Sequence, residues 1–146
     1  MDGLEQLLIR LQSMVVKMYV QAHGYHWNIE GQDFKQYHSF LLEIYEDVYD
    51  SIDPISENMR KLGYKAPFGL ETWSHNSDLI TNNESTLPSR QMLQELLSTN
   101  MIVLAMLKRT CDKANELDEQ GLVNFLADRL DKHKFWQWQL TATLKL

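Results

Sequence analysis

The amino-acid sequence predicts an all-α fold, a bundle of four long helices with a long crossover carrying a short helix between the second and the third. Two features predict it: apolar residues recur at three- and four-residue steps in four separate stretches, and the links between those stretches are unequal. The first stripe runs Leu4, Leu7, Leu8, Leu11, Met14, Val15, Met18 and Ala22, one face of a helix. The second starts at Phe34 and Tyr37, continues through Leu41, Ile44, Val48, Ile52 and Ile55, and ends at Leu62, where Gly63 and then Pro67 supply the stop. The third follows "STLPSRQ", in which Ser85, Pro88 and Ser89 offer helix-start chemistry, and takes in Leu93, Leu96, Leu97 and "MIVLAML". The fourth occupies "GLVNFLADRLDKHKFWQWQLTATL", with Leu122, Phe125, Leu126, Leu130, Trp136 and Leu140 facing inward. Strand alternation, internal repeats and low-complexity tracts are absent from the sequence.

Short links make helices one and two, and three and four, antiparallel pairs. Between the pairs lie the 25 residues "GYKAPFGLETWSHNSDLITNNESTL". They can travel the roughly 38 Å of a bundle helix even with a short helix around "LETWSHNSDLI". One long crossover between two helical hairpins is the ferritin-like arrangement. A length of 146 residues with 44% hydrophobic content suits a single domain over residues 1–146. The formal charge of −6 disfavours nonspecific attraction to nucleic acid or anionic membrane. Cys111 is alone, so no intrachain disulfide forms and a reduced, cytoplasmic setting is expected. The start "MDGLEQLLIR" does not read as a signal peptide, and "MIVLAML" is too short to span a membrane.

His23, His26 and His38 fall with Trp27 inside the sixteen residues "HGYHWNIEGQDFKQYH". Ferritin-like bundles often hold paired metals between Glu-x-x-His motifs on facing helices. Here the residues three before the five histidines are Val20, His23, Lys35, Thr72 and Leu130, so an in-bundle centre of that kind is not expected. Asp53 and Glu57, spaced i, i+4, share one helix face and can grip one ion together. His38 lies fifteen residues before Asp53 on the same predicted helix. That is roughly 22 Å, against metal–ligand bonds of about 2 Å. If His26 and His38 share metal with these acids, the acids come from another chain, and a twofold axis would build the site twice. Plainer roles stand beside these. His23, His75 and His133 read as hydrogen-bonded packing residues, and Trp27, Trp73, Trp136 and Trp138 as core or interface. Asp53 also precedes Pro54, so its carboxylate can instead cap a restarted helix.

The stretch "HWNIEGQDFKQYH", followed by "LLEIYEDVYDSIDPISENMRKLGYKAP", resembles the signature of the Dps family of dodecameric mini-ferritins. The pattern falls here on His26, Trp27, Asn28, Gly31, His38, Asp53, Glu57, Arg60, Leu62 and Gly63, and the likeness extends more weakly to "DKHKFWQWQL" near the end. The resemblance implies a hollow shell of twelve identical subunits with ferroxidase centres at the twofold interfaces. In each, His26 and His38 of one subunit and Asp53 and Glu57 of the other would bind Fe²⁺. It further implies hydrogen peroxide, or oxygen, as oxidant, a stored ferric mineral, and protection against oxidative damage. Trp27, beside a ligand, would take up stray oxidising equivalents. Hard carboxylates suit Fe³⁺ and imidazole suits Fe²⁺.

The chain departs from that pattern at Leu42, where many members carry Asp or Glu for the second iron. Glu43 is rotated about 100° around the helix and does not substitute. One tight and one weak metal position are therefore expected, and a shell with a degenerate centre holding one metal, such as zinc, is an alternative. The family name implies DNA protection, yet before Gln21 the only basic residues are Arg10 and Lys17, offset by Asp2 and Glu5. DNA binding is not expected, and a nucleoid protein lacking a basic tail is the remaining alternative. By the resemblance, Glu116, Asp118 and Glu119 in "ANELDEQG" are candidates to line an iron-entry channel. They can equally be acids that favour a helix N-terminus.

Overall fold

The computed structural model describes residues 3–77 and 87–145. Among the described residues run five helices and no strand: α1 (Leu4–Asn28), α2 (Phe34–Lys61), α3 (Leu70–His75), α4 (Ser89–Glu116) and α5 (Gln120–Leu144). The four long ones are the expected bundle helices, and α3 is the short helix of the crossover. Ser85 and the later part of the crossover lie outside the described residues.

Helix α1 packs on α2, on α4 and on α3, and α4 packs on α5. Their apolar stripes meet in one core, in which Leu11 and Met14 of α1, Leu41 and Ile44 of α2, Leu93 and Leu96 of α4, and Leu126 and Leu140 of α5 are buried. Tyr25, late in α1, donates a 2.9 Å hydrogen bond to Glu95, early in α4. Those two helices are therefore antiparallel, which leaves α2 and α4 parallel. A parallel connection cannot be a tight turn, and that is why the link between the hairpins traverses the bundle. The crossover is tied down on the way: Trp73 Nε1 of α3 donates to Gln12 Oε1 at 3.0 Å, and Gln12 Nε2 donates to Ser56 Oγ at 2.8 Å. His75, by contrast, is exposed in the last turn of α3, which corrects its reading as a packing residue.

The expected stop of α2 is built as a Schellman motif. Gly63 has φ +88°, and the Tyr64 and Gly63 amides donate to the carbonyls of Met59 and Arg60 at 3.0 Å each. Asp118 does the same for α4 with φ +57°, the Glu119 amide reaching the Ala114 carbonyl at 2.9 Å. Asp118 thus has a local structural job as a left-handed cap, a conformation that Asp tolerates better than most side chains. Helix α2 runs uninterrupted through Pro54. Interior proline costs about 3 kcal/mol. Ile55 and Met59 on the following turns are buried, each worth about 1.5–3 kcal/mol, and hold the register. The cap role considered for Asp53 is thereby overturned: it sits inside a continuous helix, and its carboxylate is exposed.

The bundle interior holds a polar network where sequence reasoning expected only packing. Arg129 of α5 grips both oxygens of Asp47 of α2 at 2.9 Å, and Trp136 Nε1 donates to Asp47 Oδ2 at 2.8 Å. Arg129 Nη2 lies 3.0 Å from His133 Nε2, and His133 Nδ1 lies 2.8 Å from Asn100 Oδ1 of α4. Asn100 Nδ2 donates to the His133 carbonyl, so its Oδ1 is the acceptor. His133 is consequently the neutral tautomer with its proton on Nδ1, and its Nε2 accepts from Arg129.

Candidate metal centre

The α1–α2 hairpin aligns two imidazoles. Buried Ile29 anchors the link, and Gly31, at φ +118°, makes the turn that lays the start of α2 beside the end of α1. Across this seam His26 and His38 lock each other. Nδ1 of His26 lies 2.7 Å from the backbone carbonyl oxygen of His38, and Nδ1 of His38 lies 2.7 Å from that of His26. A carbonyl only accepts, so both Nδ1 atoms carry the proton. In the neutral ring this tautomer leaves the unshared electron pair on Nε2, the atom a metal requires, with each ring held by a backbone partner.

The two rings stack, centroids 3.7 Å apart and planes within 12°. A metal sits in the plane of its imidazole at about 2 Å from the nitrogen. Two nearly parallel planes separated by most of 3.7 Å cannot both contain one ion. The stacked pair is therefore suited to two ions, one per ring, near the 3.5–4 Å spacing of about that size seen in two-metal sites. Phe34 stacks on His38 at 4.9 Å. Trp27 is 66% exposed and, with Asn28, Glu30, Gly31 and Phe34, lines an open groove of about 520 Å³ beside the pair.

Asp53 and Glu57 lie one turn apart on α2, exposed, and among the described residues neither has a hydrogen-bond or ion-pair partner. The chain does not bring them to the histidines. Among the described residues no three His, Cys, Asp or Glu side chains gather where they could hold a metal ion. Leu42 is half-buried, one turn beyond His38, and Glu43 is exposed. Of the three acids considered for an entry channel, Glu116 ends α4 in a 3.4 Å ion pair with Lys113, and Glu119 precedes the first residue of α5 without a side-chain cap bond.

Sequence reasoning missed the surroundings of His23. Tyr19 Oη lies 2.9 Å from His23 Nδ1, and the His23 ring stacks on Tyr45 at 3.8 Å and 11°. Burial, and then the nearby His26, push His23 below its ordinary pKa. The i, i+4 spacing of Tyr19 and His23 was legible; the Tyr45 contact, made across two helices, was not.

The ferritin family's ferritin-like domain profile matches residues 5–146. The chain belongs to the ferritin-like family. Within it, the chain is of the Dps type. It is 24% identical over 139 residues to the DNA protection during starvation protein of Helicobacter pylori, a match covering 95% of this chain and 96% of that one. The crystal structure of antigen TpF1 from Treponema pallidum is similar with a TM-score of 0.94 at 26% identity, covering 98% of this chain and 92% of that one. The Dps protein of Vibrio cholerae O1 is described as a member of a broad superfamily of ferritin-like diiron-carboxylate proteins. It matches with a TM-score of 0.92 at 25% identity over 97% of this chain and 89% of its own. Among the described residues of this Dps-type chain, no helix is long and apolar enough to cross a membrane.

Proposed function

We propose that this protein is a ferroxidase and iron-storage shell whose two-metal centres form between subunits. The reciprocal His26–His38 lock carries the reading. It presents two Nε2 atoms in separate planes, while the two unpartnered carboxylates stand roughly 22 Å (Asp53) and roughly 28 Å (Glu57) along α2 from His38. A second copy, its α2 antiparallel to the first, lays Asp53 and Glu57 over the imidazoles and completes two centres at one axis. Val20, Trp27, Phe34 and Tyr49, exposed apolar side chains of this hairpin, suit a face that another subunit covers. Twelve copies then enclose the ferric product.

The substrate is Fe²⁺. Two ions together deliver two electrons to hydrogen peroxide, giving two Fe³⁺ and, with two protons, two waters, so that no hydroxyl radical leaves. The imidazoles hold Fe²⁺, and the carboxylates, as hard donors, favour the Fe³⁺ formed. Anaerobic loading with Fe²⁺ followed by peroxide, read by ferric absorbance, tests this. Consumption of about two Fe²⁺ per peroxide is expected for a paired site. One Fe²⁺ per peroxide, with hydroxyl radical trapped in solution, would overturn it.

Leu42 makes the two positions unequal. It offers neither charge nor electron pair to the metal nearest His38, and removing a carboxylate from a cation site weakens it. Calorimetric titration without oxygen should resolve one tight and one weak class of ion, and Leu42→Asp should strengthen the weak class and speed oxidation at low Fe²⁺. Two equally tight classes in the unaltered protein would contradict this account.

DNA retention is not expected. At −6 per chain, a shell of twelve carries about −72 and repels a polyanion. A mobility-shift assay at physiological salt and neutral pH should show unretarded DNA; a salt-sensitive retarded band would reveal a basic patch strong enough to override the net charge.

A further inference from the structure

The two most exposed large apolar side chains among the described residues are Phe68 (87%) and Leu70 (80%), in the stretch that leaves α2 for α3. Their own chain leaves them uncovered, yet it holds the stretch at both ends. Upstream, Arg60 Nη1 donates to the Tyr64 carbonyl at 2.9 Å. Downstream, Trp73 is tied to Gln12, and Pro67 stiffens the link between them. A short, anchored stretch thus presents two apolar groups to the outside. At the far end of the hairpin, the groove beside the imidazoles, with Trp27, Ile29 and Phe34 among its lining residues, is left open by its own chain.

We propose that Phe68 and Leu70 of one subunit dock into the groove at Trp27 and Phe34 of its twofold partner. The proposal rests on the intersubunit reading of the centre, which sets the register. With Asp53 and Glu57 of one subunit at His38 of another, residue 55, midway between the acids, pairs with residue 38. Antiparallel helices match equal steps in opposite directions. Lys61, the last residue of α2 and six beyond residue 55, therefore comes opposite Gln32, six before His38 and within the α1–α2 turn. The stretch from Lys65 to Leu70 that follows the Gly63 turn is carried over the groove at that turn. The charges agree. Lys61 and Lys65 are exposed beside the docking stretch, and Glu30 and Asp33 are exposed beside the groove; among the described residues none of these four side chains has a hydrogen-bond or ion-pair partner. Lys35, the basic residue nearest the groove, falls opposite Asn58 instead. An aromatic anchor in an aromatic-walled pocket is where binding energy concentrates in an interface. Each subunit then gives its partner an apolar cover as well as two carboxylates, and shields the side on which Phe34 stacks on His38.

The test uses the assembled, metal-free protein in a Cys111→Ser background, so it does not depend on iron oxidation. Phe68→Cys with Asn28→Cys, treated with a short bis-maleimide, should give a covalent dimer on a denaturing gel and nothing larger, because both links join the same two subunits. Glu46→Cys alone, within one residue of the midpoint between residues 38 and 55, should link to its own copy and so reports the α2 pairing by itself. A dimer from Glu46→Cys with none from the double variant would overturn the docking and leave the intersubunit centre standing; absence of both would overturn the two together. A ladder beyond the dimer would assign Phe68 to a different subunit contact and also overturn the proposal. Phe68→Ala separates docking from mere proximity: it should speed subunit exchange between shells by about tenfold or more, at a helix content equal to the parent's by circular dichroism. Exchange at the parent's rate would overturn the docking.

Discussion

Replacing Glu57 with alanine is expected to empty both positions of the centre, weakening metal binding by at least about a hundredfold, while leaving the subunit folded. A carboxylate has two oxygens, one for each ion of the proposed pair, so the loss of Glu57 would remove a donor from both and let the two positive charges face each other without screening. Outer-shell partners of metal ligands are worth about 10–100-fold in affinity, and a bridging ligand should exceed them. Stability should scarcely change: Glu57 is exposed and among the described residues unpaired, and such surface substitutions usually stay within about 0.5 kcal/mol. Anaerobic zinc or Fe²⁺ calorimetry beside a thermal melt separates the two effects. Glu43→Ala, one residue around the helix from Leu42, is the matched control and should leave both ions bound.

The largest effect on stability is expected inside the bundle. Asp47→Ala leaves Arg129 without its carboxylate and Trp136 Nε1 without its acceptor, in a region where both side chains are largely enclosed. Removing one partner of a buried ion pair costs about 3–5 kcal/mol, and the lower end applies here because part of Asp47 is exposed. The same network makes the fold sensitive to acid. Burial, and then the adjacent Arg129 charge, push His133 down to about 3, against the opposing pull of Asp47. Unfolded His133 takes up a proton near pH 6.5 and the folded chain refuses it until about 3, so stability present above 6.5 is lost as pH falls through that window. At about 1.4 kcal/mol per unit, the loss amounts to on the order of 4 kcal/mol near pH 3.5. Burial raises the Asp47 carboxyl, but its hydrogen bonds and ion pair with Arg129 prevail and hold it below the usual value, which adds a further loss at the acid end of the window. Melts of the parent and His133→Gln should converge as pH drops from 6.5 to 4; parallel curves would show that His133 does not set the acid response.

Much of the fold was legible because its signals are local. Leu4 to Ala22 mark α1 by spacing alone, Gly63 announces the end of α2 by the left-handed turn it adopts, and the 25-residue link requires a crossover because two parallel helices cannot be joined by a turn. Pro54 raised the alternative of a restarted helix, since its local cost argues for a break that burial of Ile55 and Met59 on the next turns outweighs. The Asp47–Arg129–His133–Asn100 network was not legible, because Asp47 and Arg129 lie 82 residues apart, His133 lies further still, and nothing in their spacing announces a shared interior. His26 and His38 were legible as candidates, but not their reciprocal lock: two backbone carbonyls fix both tautomers, and sequence spacing carries no record of a carbonyl's direction. The histidine-to-carboxylate separation within one chain was legible too, because helix rise is a constant of the backbone, and among the described residues the chain does keep the two sets apart.

Subunit complementation tests the intersubunit centre most directly. One variant carries His26→Ala and His38→Ala, the other Asp53→Ala and Glu57→Ala; each alone should be inactive in peroxide-dependent Fe²⁺ oxidation. When the two are unfolded together and co-assembled, a mixed twofold interface joins intact carboxylates from the first to intact imidazoles from the second. One of its two centres is then whole, and the other lacks every ligand. Oxidation restored in the co-assembled shells, and absent when the separately folded variants are merely mixed, is the result this account predicts. Co-assembled shells as inactive as their parents would contradict it, since a centre built within one chain gains nothing from a partner.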